Sequence, residues 1–238
     1  MSRTFITMNI IIIPYRDRKE HLEIFIDSCK MNFEKYLTPF KIVIIEQTSS
    51  KLFNRGKLLN IGVFENFNES YNYFLHDVDT IPTELCISTN YIKTLDDNTI
   101  LGLYNFKDMG TMGGVIKIKG KDFKEINGFP NNIFGWGGED KALSNRAYFY
   151  NKKFIKTVSV EDQDVAKYYN ILKSHHDINR GSQQSAKVYN DEYVIFGGLN
   201  SQQKEQTILN SGLNNLTYNI TNTVIEDSFI KHIIVDLC

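Results

Sequence analysis

Asn9-Ile10-Ile11-Ile12-Ile13-Pro14-Tyr15-Arg16-Asp17-Arg18 is the stretch that decides the fold. Four consecutive isoleucines leave no polar side for water, so residues 9–13 read as a strand buried on both faces. Pro14 stops the strand, and the polar residues after it turn the chain. Phe40-Lys41-Ile42-Val43-Ile44-Ile45 is a second strand of the same kind, and Tyr71–Leu75 a third. Between the first two, residues 21–33 carry helical apolar spacing at Leu22, Phe25, Ile26 and Cys29. Between the second and third, residues 53–67 do the same with Leu58, Leu59, Ile61 and Val63. Strand-then-helix alternation of this kind predicts βαβ units and a mostly parallel sheet with helices on both faces. In such a sheet ligands collect beyond the carboxyl ends of the strands. Pro14–Arg18, Glu46–Gln47 and Asp77–Asp79 would all lie there.

Further strands are expected over residues 113–119, 154–160, 213–223 and 230–237, and helices over 121–127 and 141–150. The stretch between Leu75 and Gly113 reads as a turn and a loop. No internal repeat and no linker with a shift in composition appears, so the chain reads as one α/β domain.

The 238 residues carry a net charge of −1, with 42% hydrophobic and 23% charged side chains. This is an ordinary globular balance. It shows no electrostatic footprint for nucleic acid or an anionic membrane. No run of about 18 apolar residues exists to span a bilayer. Cys29, Cys86 and Cys238 are three in number and far apart. They suggest neither a disulfide framework nor zinc spacing, and fit a reducing compartment.

Ile126–Asp140 packs four glycines, the only tryptophan and two adjacent acids into one stretch. Clustered glycines mark backbone with unusual dihedrals or a close approach to something. Trp136 stands among them, a flat ring able to cover a sugar face and donate an N–H. Glu139 and Asp140 follow at the start of the next helix, where acids also suit the helix dipole. The plain alternative is a glycine-rich turn, a core tryptophan and two capping acids. Asp77-Val78-Asp79 ends a strand with both carboxylates on one face, a placement suited to a hard divalent cation carrying phosphate oxygens. Turn acids would look the same. His175-His176-Asp177 offers imidazoles with an acid beside them, and mixed Asp/His ligation suits manganese better than calcium. Arg16 and Arg55 present guanidinium forks near the same strand ends, whereas Arg18 reads as ordinary surface arginine. Asp140 could take a proton from an attacking hydroxyl.

These pieces resemble the β-1,4-galactosyltransferase family, glycosyltransferase family 7, including its xylosylprotein branch. They occur in the family's order: residues 12–18, Phe53-Asn54-Arg55-Gly56-Lys57-Leu58-Leu59-Asn60-Ile61-Gly62, Asp77–Pro82, Gly113-Gly114-Val115, Ile126–Asp140, and Gly212–Tyr218. The resemblance implies a GT-A-type fold, Rossmann-like, with residues 1–82 as a nucleotide-binding half and 83–238 as a donor and acceptor half. It implies an inverting enzyme that uses Mn²⁺, a UDP-sugar donor and a carbohydrate or glycoconjugate acceptor. By position, Pro14, Tyr15 and Arg16 look like the uridine-binding turn. Arg55, Asp77, Gly113 and Gly138 look like further donor contacts. Trp136 looks like the loop tryptophan that closes over the donor. Asp79 looks like a metal ligand, with His176 or His175. Asp140 looks like the general base, and Glu139 its neighbour at the acceptor site.

The chain departs from the family in several places. Lys141-Ala142 stand where the family continues with acids, which bears on the acceptor and leaves an inactive carbohydrate- or nucleotide-binding descendant as the alternative. Thr111 occupies the position that governs donor choice, where the family's tyrosine favours galactose; a smaller residue leaves room for an N-acetylhexosamine. The Golgi members' anchor and disulfide cysteines have no match. The sequence therefore predicts a soluble, cytoplasmic enzyme of viral or microbial type.

Overall fold

The computed structural model describes residues 7–48, 51–106, 110–135, 137–173 and 196–237. Its centre is the run of isoleucines. β1 (Asn9–Tyr15) lies between β2 (Phe40–Gln47) and β3 (Asn72–Leu75), and all three are parallel. β10 (Ile230–Asp236) pairs parallel to the other edge of β2, and β9 (Asn219–Ile225) pairs antiparallel to β10. On the far side, β6 (Val115–Lys119) runs antiparallel to β3, then β5 (Thr99–Tyr104) antiparallel to β6, with β7 (Lys153–Lys156) parallel to β5. The order is β7-β5-β6-β3-β1-β2-β10-β9. The sheet is thus mixed, with its parallel strands at the centre. A second, two-stranded sheet joins β4 (Thr80–Pro82) to β8 (Tyr169–Ile171).

Register divides the core into two layers. Ile42, Ile11 and Phe74 form one row across three strands, and Val43, Ile12 and Leu75 form the next. Successive strand residues point to opposite faces, so the first row faces one helical layer and the second faces the other. The first layer is α1 (Lys19–Leu37), which buries Leu22, Phe25, Cys29 and Phe33. It is joined by α3 (Glu84–Cys86), which runs on into a π-helical turn at Ile87–Tyr91. The second layer is α2 (Arg55–Phe64), α4 (Gly120–Glu125) and α5 (Glu139–Phe149). A sheet covered on both faces has no wet side, which is why β1 and β2 each carry an unbroken run of four Ile or Val residues and β3 ends in Tyr-Phe-Leu. Among the described residues, no helix is long and apolar enough to cross a membrane.

The structure corrects the sequence reading in places. The stretch between Leu75 and Gly113 is not one loop: it holds β4, α3, the π turn and β5. The strand expected at 213–223 begins only at Asn219, because Leu213–Asn215 form a 3₁₀ turn. The strand expected at 154–160 is β7 with one further bridge, Asn105 to Ser159. α6 (Val165–Tyr168) and α7 (Ser201–Leu209) complete the elements used below.

Helix α2 lies close on the sheet at Gly62. A Cβ there would stand 2.3 Å from Ile12 Cγ2 and 3.2 Å from Ile45 Cγ1. Both neighbours are in central strands and cannot swing aside. Gly62→Ala is therefore expected to destabilise the fold by about 1–3 kcal/mol, read from the urea midpoint. An unchanged midpoint would mean that the helix can lift without cost.

Candidate active site

The carboxyl end of β3, the backbone just before β6 and the start of α5 converge on one side chain, Arg55, the first residue of α2. Asn54 caps that helix by accepting from the Lys57 amide at 2.9 Å, so Arg55 leaves the helix start with a fixed direction. Its Nε donates to Asp77 Oδ1 at 2.6 Å, Nη1 to Asp140 Oδ1 at 2.9 Å, and Nη2 to the Gly114 carbonyl at 3.0 Å. Glu139 Oε1 stands 4.0 Å from Nη1. One guanidinium therefore serves three carboxyl groups from two segments, and a backbone carbonyl from a third. Burial works against its charge, but Asp77, Asp140 and Glu139 more than offset this and hold it firmly protonated.

The carboxyl groups outnumber their cation. Burial pushes Asp140 up to about 8; Arg55 opposes this, while Glu139 and Asp77 reinforce it. Glu139 is raised too, mainly by burial, again against the pull of Arg55. Its Oε2 is buried and has no hydrogen-bond partner among the described residues. Acids crowded around one cation cannot all ionise cheaply.

The glycines make this approach possible. A Cβ on Gly113 would sit 2.4 Å from Asp140 Oδ2, so the carboxyl group rests directly on that backbone. Gly135, Gly137 and Gly138 take φ of 86°, 99° and 102°, conformations that side chains disfavour. They carry the chain into α5 with Glu139 and Asp140 in its first turn. Ser144 Oγ joins the Asp140 carbonyl and the Met112 amide, each at 2.8 Å. This ties α5 to the segment holding Thr111, which is buried.

A lattice of buried asparagines holds the segments together from beneath. Asn60 Nδ2 donates to the Phe129 carbonyl at 2.7 Å and its Oδ1 accepts from the Phe129 amide at 2.9 Å. Asn54 Nδ2 reaches the Asn131 carbonyl at 2.7 Å. Asn131 Nδ2 reaches the Gly212 carbonyl at 2.8 Å, and the Asn131 amide donates to Ser211 Oγ at 2.7 Å. Three of the six stretches on which the family resemblance rests, 53–62, 126–140 and 212–218, meet here. Asn54, Asn60 and Asn131 are buried there and bond backbone groups.

Pro14 and Tyr15 are buried at the end of β1. Arg16 Nη1 donates to the Lys51 carbonyl at 2.8 Å, and its guanidinium lies 5.3 Å from the centre of the Phe53 ring. Gly135 N–H bonds the Phe53 carbonyl at 2.8 Å, which links the glycine-rich stretch to the arginine turn. Asp79 sits in the turn between β3 and β4. Its Oδ2 pairs with Arg18 Nη1 at 3.1 Å, so Arg18 belongs to the site and is not an ordinary surface arginine. Asp17 at φ 52° swings the chain to bring it there; nothing in the local sequence announces this pairing. Asp77, Glu139, Asp140 and Gly113 are thus brought together at Arg55, Gly138 leads directly into Glu139, Thr111 is joined to them through its neighbour Met112, and Asp79 is held by Arg18. Trp136, His175 and His176 lie outside the described residues.

The donor chemistry suits a divalent cation in part. Asp79 and Asp77 supply carboxylates beyond the end of β3, Asp79 paired with Arg18 and Asp77 with Arg55. Among the described residues no group of three or more His, Cys, Asp or Glu is placed to hold an ion. The Leu172 amide donates to the Asp79 carbonyl at 2.9 Å, so β8 leads the chain toward residues 175 and 176 from a point beside Asp79.

Two family models match the chain: the N-terminal region of glycosyl transferase group 7 over residues 5–88, and the N-terminal domain of galactosyltransferase over residues 103–177. The chain belongs to this family. Among its relatives, mouse beta-1,4-galactosyltransferase 4 is 33% identical over 191 residues, which is 75% of this chain and 54% of the relative. Bovine beta-1,4-galactosyltransferase 1 is 33% identical over 216 residues, 87% of this chain and 49% of the relative. The chain thus spans about half the length of the curated relatives it matches. The catalytic domain of Drosophila beta-1,4-galactosyltransferase 7, solved with xylobiose, superposes with a TM-score of 0.72 at 20% identity, covering 98% of this chain and 94% of that one. A variant of the same enzyme with manganese, UDP-Gal and xylobiose gives a TM-score of 0.74 at 19% identity, with the same coverage. The fold is the GT-A type of these galactosyltransferases.

The raised Asp140 has a stability consequence with a definite sign. Its carboxyl keeps a proton in the folded chain up to about pH 8, but releases it near pH 4 when unfolded. The folded state then binds more protons across that window, so this group's contribution to stability falls as pH rises from 4 to 8. Asp140→Asn removes the penalty. Relative to wild type, the variant is expected to gain stability between pH 5 and pH 8, measured by urea unfolding at both. A difference that shrinks as pH rises would overturn the protonation scheme.

Proposed function

We propose that this chain is an inverting, metal-dependent glycosyltransferase that moves galactose or an N-acetylhexosamine from a UDP-sugar to a sugar hydroxyl in β linkage. The observation that carries the reading is Asp140: a carboxyl group held against Gly113 by Arg55, with its proton affinity raised toward neutral pH. A base works best when its pKa lies near the working pH. In the reaction the acceptor hydroxyl attacks the anomeric carbon of the donor, and its proton passes to Asp140. The bond from that carbon to the UDP oxygen breaks on the opposite face, which inverts the centre. Glu139 lines the acceptor side, and Lys141 beside it bears on which acceptor is taken.

Pro14, Tyr15 and Arg16 form the uridine turn in this reading. Arg55, Asp77, Gly113 and Gly138 contact the rest of the donor, and Trp136 covers it. Residues 1–82 make the nucleotide half and 83–238 the donor and acceptor half. Asp79 would hold Mn²⁺ together with His176 or His175, and the ion supplies positive charge against the leaving diphosphate. In the sequence the histidines follow three and four residues after Leu172, whose amide donates to the Asp79 carbonyl. The family's solved members support the assignment, since one carries manganese and UDP-Gal in its crystal. Thr111 is buried beside Met112, whose amide is tied to α5 through Ser144, so a residue of this size there leaves donor space for a 2-acetamido group. The free, buried thiols of Cys29 and Cys86 support a reducing, cytoplasmic setting.

Purified protein with Mn²⁺ should release UDP from one of UDP-Gal, UDP-GalNAc, UDP-GlcNAc or UDP-Glc when offered GlcNAc, glucose or xylosides. Turnover with galactose alone would show that Thr111 does not widen the pocket. Asp140→Asn should lower transfer by about 10²–10⁴-fold while Mn²⁺-dependent UDP binding persists; near wild-type transfer would remove Asp140 as base. Asp79→Ala should abolish that binding. Because the base must have lost its proton, kcat/KM is expected to rise with pH up to about 8 and then level off. A profile flat between pH 6 and 9 would argue for a different base, and absence of both turnover and UDP binding would favour the non-catalytic descendant.

A further inference from the structure

The turn that carries Asp77 and Asp79 closes on a single atom, the Asp77 carbonyl oxygen. Thr80 N–H bonds it at a long 3.3 Å. A second donor reaches the same oxygen: the His76 ring, whose Nδ1 stands 2.9 Å away. A carbonyl only accepts, so Nδ1 must carry the ring proton. Nε2 is then an acceptor, and the Tyr91 hydroxyl stands 2.7 Å from it. His76 and Tyr91 are both fully buried. Phe25 meets the imidazole edge to face at 4.9 Å, and Phe74 stacks on Tyr91 at 5.2 Å. Burial in this apolar box pushes His76 down to about 4, so the ring is neutral where both bonds need it to be.

Tyr91 is itself fixed. It ends the π-helical turn Ile87–Tyr91, a local irregularity often found at functional sites. Lys117, buried in β6, donates from Nζ to the Tyr91 carbonyl at 2.8 Å and to the Lys93 carbonyl at 2.7 Å. Nothing in the reading above uses Lys117, Tyr91 or His76.

We infer that Tyr91 and His76 are positioning residues: Tyr91 fixes the Nδ1–H form of His76, and that ring sets the Asp77–Thr80 turn and so aims Asp79. The ring cannot rotate without abandoning two bonds, and the turn's own closing bond is too long to hold it alone. The effect on nucleotide binding rests on the function proposed above; the ring's proton form does not.

Two measurements separate those dependencies. Nitrogen-15 NMR of the imidazole in the intact protein at pH 7 should show His76 protonated at Nδ1 and its Nε2 shifted by an accepted hydrogen bond. In Tyr91→Phe that Nε2 shift should be lost. An Nε2-protonated ring in the wild type would overturn the inference whatever the protein binds. Mn²⁺-dependent UDP binding by calorimetry should then weaken about three- to tenfold in Tyr91→Phe, the scale of one net hydrogen bond. Tyr73→Phe serves as the control, because the Tyr169 hydroxyl stands 3.5 Å from that of Tyr91 and belongs to the same network. It removes a hydroxyl that donates to the Asn66 carbonyl at 2.7 Å from a buried tyrosine in the other core layer, and UDP affinity should be unchanged at a similar loss of melting temperature. Equal weakening in both variants, or none in Tyr91→Phe, would reduce the pair to core packing. Wild type that binds no UDP would sink the proposed function and leave the NMR result to judge the pair.

Discussion

The site depends on a shortage of positive charge. Asp77 comes from the end of β3, Glu139 and Asp140 from the start of α5, and Arg55 from the start of α2. These segments are distant in sequence and converge because one guanidinium can bond two carboxylates and a carbonyl at once. A lysine could not, since its ammonium lacks the planar fork. Burial raises the proton affinity of Asp140 and Glu139, and the neighbouring acids that share the one cation add to it. The chemistry proposed for Asp140 and the cohesion of the cluster are therefore two results of one buried arrangement.

Such a cluster needs a rigid frame, and the frame is neutral. Asn54, Asn60, Asn127 and Asn131 are all buried, and each satisfies backbone groups that a loop would otherwise leave unbonded. Asparagine suits the task because one short side chain offers donors and an acceptor without charge. Gly212 is required against this lattice, because a Cβ there would meet the Asn127 carbonyl at 2.1 Å. The glycine-rich stretch can thus take unusual dihedrals without collapsing, since its base is pinned on both sides.

Much of this was legible in the residues. The isoleucines of β1 and the apolar runs of β2 and β3 announce a sheet buried on both faces. The polar residues at their carboxyl ends announce where a ligand goes. β5 was hidden by Gly102, which reads as a breaker but is present because Asn105 and Phe154 side chains fill the place of its Cβ, at 1.9 and 2.7 Å. β4 and β8 are three residues each, too short for alternation to register. α7 did carry a signal, the Asn200–Gln203 capping box. The pairing of Arg18 with Asp79 could not be read, because it depends on the tertiary path of one turn. Likewise the sequence does not show that Asn54, Asn60, Asn127 and Asn131 form a buried frame, because their partners lie in segments far apart in the chain.

The order of strands in space differs from their order in the chain, and this bears on how the molecule is made. β2 emerges early from a ribosome, yet its second edge is covered only by β10, at residues 230–236. Until then a strand with Ile42, Val43, Ile44 and Ile45 fully buried in the finished protein presents an open, apolar edge. Such edges invite pairing with other chains, and long-range parallel pairing is slow to form. From the synthesis of β2 to that of β10 the nascent chain therefore carries an adhesive edge uncovered, and its yield in a cell should respond to chaperone supply far more than its finished stability would suggest.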